Sequence, residues 1–200
     1  MKILCLYNND CALGVFDWLR LQGHETILWT KRLDAGWCQG QAFDLAVSYT
    51  YRFILSAEVI ESLNHNAVNI HNSFLPFNRG ADPNLWSIAD GTPRGVTLHY
   101  IDESLDHGGI IAQNIVPVKP DDTLRTAYDA LDQAAKDMFK AAFVYYPFWK
   151  EMSKRPESAG NYHSIADGQS LRDAVHTYDI TIGDFRNFVF GESGGDFQKT

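Results

Sequence analysis

Short apolar runs at residues 2–7, 44–49 and 67–70, separated by helical or turn-forming sequence, constrain this fold most. Leu45-Ala46-Val47-Ser48-Tyr49 is too apolar for a half-solvated strand and suits a central parallel strand covered on both faces. Residues 13–21 carry apolar groups at helical spacing and stop near Gly23. Residues 57–63 follow Ser56 as N-cap, with Glu58 in the first turn. Residues 24–30 read as a second strand, while the polar passage 31–41 has no period that assigns it to an element.

Further on, Asp82 is the expected N-cap and Pro83 the first residue of a helix ending near Asp90-Gly91. Residues 95–101 and 110–118 are β-branched strands around a loop at 102–109. Residues 123–150 repeat at helical spacing, with Asp122 as the expected cap and Pro147 as a kink or stop. Two short helices are expected within 170–190. The alternation predicts an α/β fold, a doubly wound, Rossmann-like, mostly parallel sheet with an antiparallel excursion near 95–118. Residues 1–153 would form the main domain and 154–200 a short helical C-terminal appendage packed on it.

A chain of 200 residues with 45% apolar and 21% charged content is that of an ordinary globular protein with one core. No apolar run approaches the roughly 20 residues that span a bilayer, so a cytoplasmic protein with no membrane contact is expected. Cys5, Cys11 and Cys38 are odd in number and lack a CxxC pair, which predicts free thiols and no zinc knuckle. The formal charge of −8 opposes nucleic-acid binding but leaves room for a small phosphorylated ligand held by a few basic groups. There is no HExxH, hence no metal is expected, and no GxSxG elbow. The first strand runs into Asn8-Asn9-Asp10-Cys11-Ala12-Leu13-Gly14, which is not GxGxxG, so NAD is not expected.

The chemistry lies elsewhere on the same sheet edge. Asn69 and His71 are two apart on an extended segment, so both side chains point to one side. Asp106 sits in a loop bounded by Gly108 and Gly109. An amide can polarise a carbonyl, an imidazole can carry a proton or hold an oxyanion, and a carboxylate can set the imidazole's charge. That trio suits acyl transfer to an amine without a covalent intermediate. Pro76 fixes a turn, Gly80 permits close backbone approach, and Arg79 is a candidate anion clamp. Most of Tyr49, Tyr51, Phe53, Phe74, Phe77 and Trp86 are expected in the core, with a few walling a flat aromatic ligand.

Asn69-Ile70-His71-Asn72-Ser73-Phe74-Leu75-Pro76, Arg79-Gly80, Pro83, Trp86, Gly95-Val96-Thr97-Leu98-His99 and Leu105-Asp106-His107-Gly108 together resemble the 10-formyltetrahydrofolate-dependent formyltransferases. The resemblance covers roughly residues 1–150 and implies a formyltransferase fold. It implies Asn69, His71 and Asp106 as the catalytic trio, and Phe53, Ile54, Leu55, Asp102 and Leu105 at the folate. Ser73, Asn78, Arg79, Gly80 and Trp86 would meet the acceptor. The stretch from Asn78 to Ser87, and Gly160-Asn161-Tyr162-His163, are most similar to the nucleotide-sugar N-formyltransferases. His107 and Gly109 stand where Thr and Pro are often found in the family.

The implied reaction moves a formyl group from 10-formyltetrahydrofolate, with no metal, to the primary amine of a nucleotide-linked amino sugar. Formylation of glycinamide ribonucleotide or another small amine is the alternative, as is a folate-binding module without catalysis. The chain stops before the C-terminal β domain of the tRNA enzymes, and with its acidic charge this makes tRNA a poor expected substrate. The aromatic, Gly-rich tail is compatible with a homodimer.

Overall fold

The computed structural model describes residues 1–191. Its apolar runs form the strands β1 (Lys2–Leu6), β2 (Glu25–Trp29), β3 (Leu45–Tyr49) and β4 (Ala67–His71). All five residues of β3 are buried, as a strand covered on both faces requires. Two further long strands, β6 (Gly95–Tyr100) and β7 (Ile110–Ile115), complete a six-stranded sheet in the order β2-β1-β3-β4-β6-β7. β1, β2, β3 and β4 pair in parallel, and β6 is antiparallel to both β4 and β7. The expected excursion is therefore β6 alone. The short strands β5 (Arg79–Gly80) and β8 (Tyr162–His163) form a separate two-stranded ladder.

Alternation along the strands sorts side chains to the two faces. Ile3, Cys5, Val47, Val68 and Leu98 pack under α1 (Leu13–Leu21) and α5 (Leu124–Phe143). Leu4, Leu6, Ala46 and Ala67 pack under α2 (Ala35–Gln41) and α3 (Ala57–Ser62). Residues two apart share a face, so Asn69 and His71 lie on the side of Ala67. Since Leu98 faces α1 and α5, Thr97 and His99 fall opposite it, on that same side.

Helix ends show where local sequence was and was not decisive. Ser56 caps α3 as expected, accepting from the Val59 N–H. The unassigned passage 31–41 contains α2, capped by Asp34 through the Trp37 N–H at 2.9 Å. Asp82 does not cap α4 (Pro83–Ala89): its φ is +50° and its carboxylate instead pairs with Arg172. Asp122 does not cap α5 either. Thr123 does, in a reciprocal box with Thr126, while the Asp122 carboxylate accepts from the Lys119 N–H at 2.8 Å. α5 stops at Phe143, four residues ahead of Pro147, and a 3-10 turn over Tyr146–Phe148 leads into α6 (Trp149–Met152).

The expected pair of C-terminal helices is present as α7 (Gln169–Ala174) and α8 (Ile182–Phe190). They bury Leu171, Ile182 and Phe185 in a third cluster against Leu85 and Ile88 of α4 and Leu124 of α5. The last part of the tail, 192–200, lies outside the described residues. All three cysteines are free, with Cys5 and Cys38 buried. No helix among the described residues is long and apolar enough to cross a membrane.

Candidate active site

β4 and β6 pair so that Asn69 stands opposite His99 and His71 opposite Thr97. The loop between β6 and β7 brings Asp106 against this end of the face. Asp106 reaches the pair from that loop with φ +50°, in the left-handed region that Asp tolerates. The expected trio is brought together. Asp106 Oδ2 lies 3.8 Å from His71 Nε2, and Asp106 Oδ1 lies 3.5 Å from Asn69 Nδ2. Asp106 is 9% exposed and His71 7%.

A fourth member, His99, completes the cluster. It is 1% exposed, and the sequence alone assigns it no role. Its Nε2 is 3.6 Å from Asp106 Oδ1 and 3.4 Å from Asn69 Nδ2. Its Nδ1 is 2.8 Å from the Tyr100 carbonyl, which can only accept, so Nδ1 bears the hydrogen and Nε2 is an acceptor. Burial pushes the His99 pKa down, outweighing the attraction of Asp106. A signal for it existed in the sequence, since Thr97-x-His99 is a polar pair on one face of an apolar strand, as Asn69-x-His71 is.

His71 has the opposite tautomer. Its Nε2 donates to the Asn78 carbonyl at 3.2 Å, and no hydrogen bond engages Nδ1 among the described residues. Burial raises the Asp106 pKa, but His71, His99, the Gly80 N–H and Arg79 together outweigh it and hold the carboxyl below its ordinary value. The Gly80 N–H donates to Asp106 Oδ2 at 3.0 Å. This cluster is therefore an ionised carboxylate between two imidazoles, one neutral by burial and the other with a free ring nitrogen.

A cleft of about 440 Å³ opens beside it, lined by Asn69, His71, Gly80, Asn84, Arg52 and Tyr128 among others. Asn72 also lines it, and Asn72 Oδ1 and Asn84 Nδ2 are buried without a hydrogen-bond partner. Arg94 Nε donates to Asn84 Oδ1 at 2.7 Å, which fixes the amide so that its donor end is the unpaired one. Buried polar atoms without partners in a cleft mark places that a polar ligand can satisfy. A groove of about 490 Å³ between β7 and α5 is somewhat larger, but it is mostly apolar and touches none of the trio.

The remaining expected contacts divide. Phe53 is half-buried, with the Arg32 and Arg52 guanidinium groups 5.3 Å and 5.0 Å from its ring centre. Ile54 and Leu105 are exposed, at 68% and 38%, while Leu55 packs in the core beneath α3. Asp102 pairs with Arg155 at 3.0 Å. Gly80 lines the cleft, and Arg79 is half-buried with Nε unpartnered.

Three expected acceptor contacts have other work. Ser73 is fully buried and donates to the Phe77 carbonyl at 2.8 Å. Asn78 is fully buried, with its Nδ2 on Thr92 at 2.7 Å. Trp86 stacks on His163, the ring centres 3.8 Å apart. They brace the site because packing has already used their polar groups or ring face. Among the described residues no group of three or more His, Cys, Asp or Glu is placed to hold a metal ion.

Fold and site together define an acyl-transfer protein of the open α/β class. Residues 35–143 match the formyl transferase family, and the chain belongs to that family. It is 31% identical over 159 residues to the dTDP-4-amino-4,6-dideoxyglucose formyltransferase of Mycobacterium bovis, covering 80% of this chain and 67% of that one. The crystal structure of the formyltransferase PseJ from Anoxybacillus kamchatkensis, in complex with UDP-4,6-dideoxy-4-formamido-L-AltNAc and tetrahydrofolate, superposes with a TM-score of 0.79 at 34% identity. It covers 92% of this chain and 97% of that one. The methionyl-tRNA formyltransferase of Listeria monocytogenes is 38% identical over 96 residues, which are 48% of this chain but only 31% of that one.

Proposed function

We propose that this chain transfers the formyl group of 10-formyltetrahydrofolate to the primary amine of a nucleotide-linked amino sugar. The observation that carries the reading is the convergence of Asn69, His71 and Asp106 beside a polar cleft with two orphaned amide atoms. Of the relatives named above, one is a formyltransferase of a dTDP-linked amino sugar, and another is complexed with a UDP-linked formamido sugar and tetrahydrofolate.

The neutral amine attacks the formyl carbon, forming a C–N bond and a tetrahedral oxyanion. Asn69 Nδ2 lies 3.4 Å from His99 Nε2 and 3.5 Å from Asp106 Oδ1, both at the long limit of a hydrogen bond, and it turns one N–H to that oxyanion in their place. His71 Nδ1 takes the proton from the attacking nitrogen, and the ionised Asp106 stabilises the imidazolium that forms. The imidazolium returns the proton to folate N10 as the bond from N10 to carbon breaks. Phe53, Ile54 and Leu105 supply apolar surface for the pterin-bearing substrate, and Asp102 shapes its loop. Arg79 serves the phosphates of the acceptor.

The test offers 10-formyltetrahydrofolate with a panel of nucleotide-linked amino sugars and glycinamide ribonucleotide, and reads formylated product by mass. His71→Ala and Asp106→Ala should each lower kcat by about 100- to 1,000-fold while keeping a cooperative melt. Transfer to glycinamide ribonucleotide alone would replace the sugar assignment. Folate binding with no transfer to any amine would replace the enzyme with a binding module.

A further inference from the structure

On the acyl-transfer reading above, we infer that Asn161, in the C-terminal segment, is a positioning residue for His71 and Asp106. Its side chain grips Asn78 from both ends. The Asn78 N–H donates to Asn161 Oδ1 at 2.6 Å, and Asn161 Nδ2 donates to Asn78 Oδ1 at 2.9 Å. The backbone continues the contact: the Arg79 N–H donates to the Asn161 carbonyl at 3.1 Å and the Ala81 N–H to the His163 carbonyl at 2.9 Å.

Two residues of the same stretch, Asn78 and Gly80, face the reacting groups with other backbone atoms. The Asn78 carbonyl receives His71 Nε2, and the Gly80 N–H holds Asp106 Oδ2. Residues 78–81 are thus a strip held along one edge by the tail and holding the imidazole and the carboxylate along the other. Asn78 turns the strip with φ +53°, in the left-handed region that Asn tolerates. The approach is also too close to be incidental. A Cβ on Gly80 would lie 2.2 Å from the His163 carbonyl oxygen, and one on Gly160 would lie 1.8 Å from that of Pro76.

Asn161 is anchored in turn. Its Nδ2 lies 3.1 Å from Asp90 Oδ2 at the end of α4 and 3.1 Å from His163 Nε2. His163 is itself fixed by its stack on Trp86 and by Asp90 at 3.0 Å. Without the Asn161 side chain, the fully buried Asn78 N–H has no acceptor and its peptide turns to find one. The acceptor that orients His71 Nε2 turns with it, and Nδ1 no longer points at the attacking amine. Small displacements of a reacting group have large kinetic effects.

The experiment measures kcat, both KM values and the melt for full-length Asn161→Ala, alone and in a His71→Ala background. Asn161→Ala should lower kcat by about 10- to 100-fold with each KM within about threefold. In the His71→Ala background the further loss should be under about threefold, because the residue acts through His71. Asn161→Gln keeps both the oxygen that accepts from Asn78 and the amide that donates to it, and should recover part of the lost kcat; if the alanine variant fails to fold, this variant carries both comparisons. Phe188→Ala, on the exposed side of α8, is the control for general loosening of the tail and should stay within about twofold of wild type. A fully additive loss in the His71→Ala background, or a loss confined to KM, overturns the inference. His71→Ala at the wild-type rate overturns the site reading itself, a result distinct from normal activity in Asn161→Ala alone.

Discussion

Asp106 lies between two imidazoles that hold their hydrogens on different atoms, and its neighbourhood can be argued from that difference. His99 carries its hydrogen on Nδ1, away from Asp106, and is kept neutral by burial. The unfolded chain takes up a proton on this residue below about pH 6.5, whereas the folded chain resists it. The unfolded state then binds more protons, so stability falls as pH drops below that value. Asp106 acts in a lower window. With its pKa depressed, its contribution is complete above about pH 3.9 and is lost as pH falls through its folded value. Urea unfolding at about pH 7.5 and about pH 5.5 separates the two. Wild type should lose more stability between those values than His99→Gln, which keeps an acceptor for Asn69 but does not titrate; equal losses would remove His99 as the source. His99→Leu, which leaves Asn69 Nδ2 without its ring acceptor, should lower kcat about tenfold. Asn69 and His71 could be read from their spacing, and Asp106 from its glycine-bounded loop. His99 carries the same alternation in Thr97-x-His99, but that it meets the other three depends on the register of two strands separated by a helix.

At the scale of elements, periodicity found the long segments and failed on short ones held by tertiary contacts. α2 reads Ala35-Gly36-Trp37-Cys38-Gln39-Gly40-Gln41, and each glycine disfavours a helix by about 1 kcal/mol relative to alanine. What holds it is the Asp34 cap, the Trp37 ring stacked on Trp29 at 4.2 Å, and the burial of Cys38. Two of those three depend on partners distant in sequence. The two-residue strands β5 and β8 have no period at all, yet they join the tail to the site. Caps were misread where two candidates stood side by side. Asp122 and Thr123 both suit the start of α5, and only the geometry shows that Thr123 takes the N–H of Thr126. Thr123→Ala should therefore destabilise the chain by about 1 kcal/mol in urea. Asp122→Ala should cost less, because its carboxylate closes only the exposed turn to Lys119. The reverse order would return the cap to Asp122.

The parallel order of the sheet and the polar sheet edge followed from the alternation of apolar runs, but the closure of the molecule did not. The amphipathic stretches that become α7 and α8 show an apolar side without showing what covers it. Phe185 is fully buried, Leu171 is 3% exposed and Ile182 2% exposed, against α4 and α5. Each such side chain contributes about 1.5–3 kcal/mol when removed from water. Domain stabilities are typically about 5–15 kcal/mol, so these three are a large fraction of the whole. α4 begins immediately after the strip that holds Asp106, and α8 packs on α4. We therefore expect residues 1–153 and the described part of the tail to unfold as one unit. Phe185→Ala, which leaves a cavity in the shared cluster, should lower the unfolding free energy by about 3–5 kcal/mol. Circular dichroism, weighted to the helices, and tryptophan fluorescence, weighted to Trp149 and its neighbours in the main core, should shift together to the same lower midpoint. An early helical transition that leaves the fluorescence midpoint where it was would show the tail melting separately. The main sheet would then keep its own stability without the tail, and the site would owe the tail only the local grip of Asn161 on Asn78.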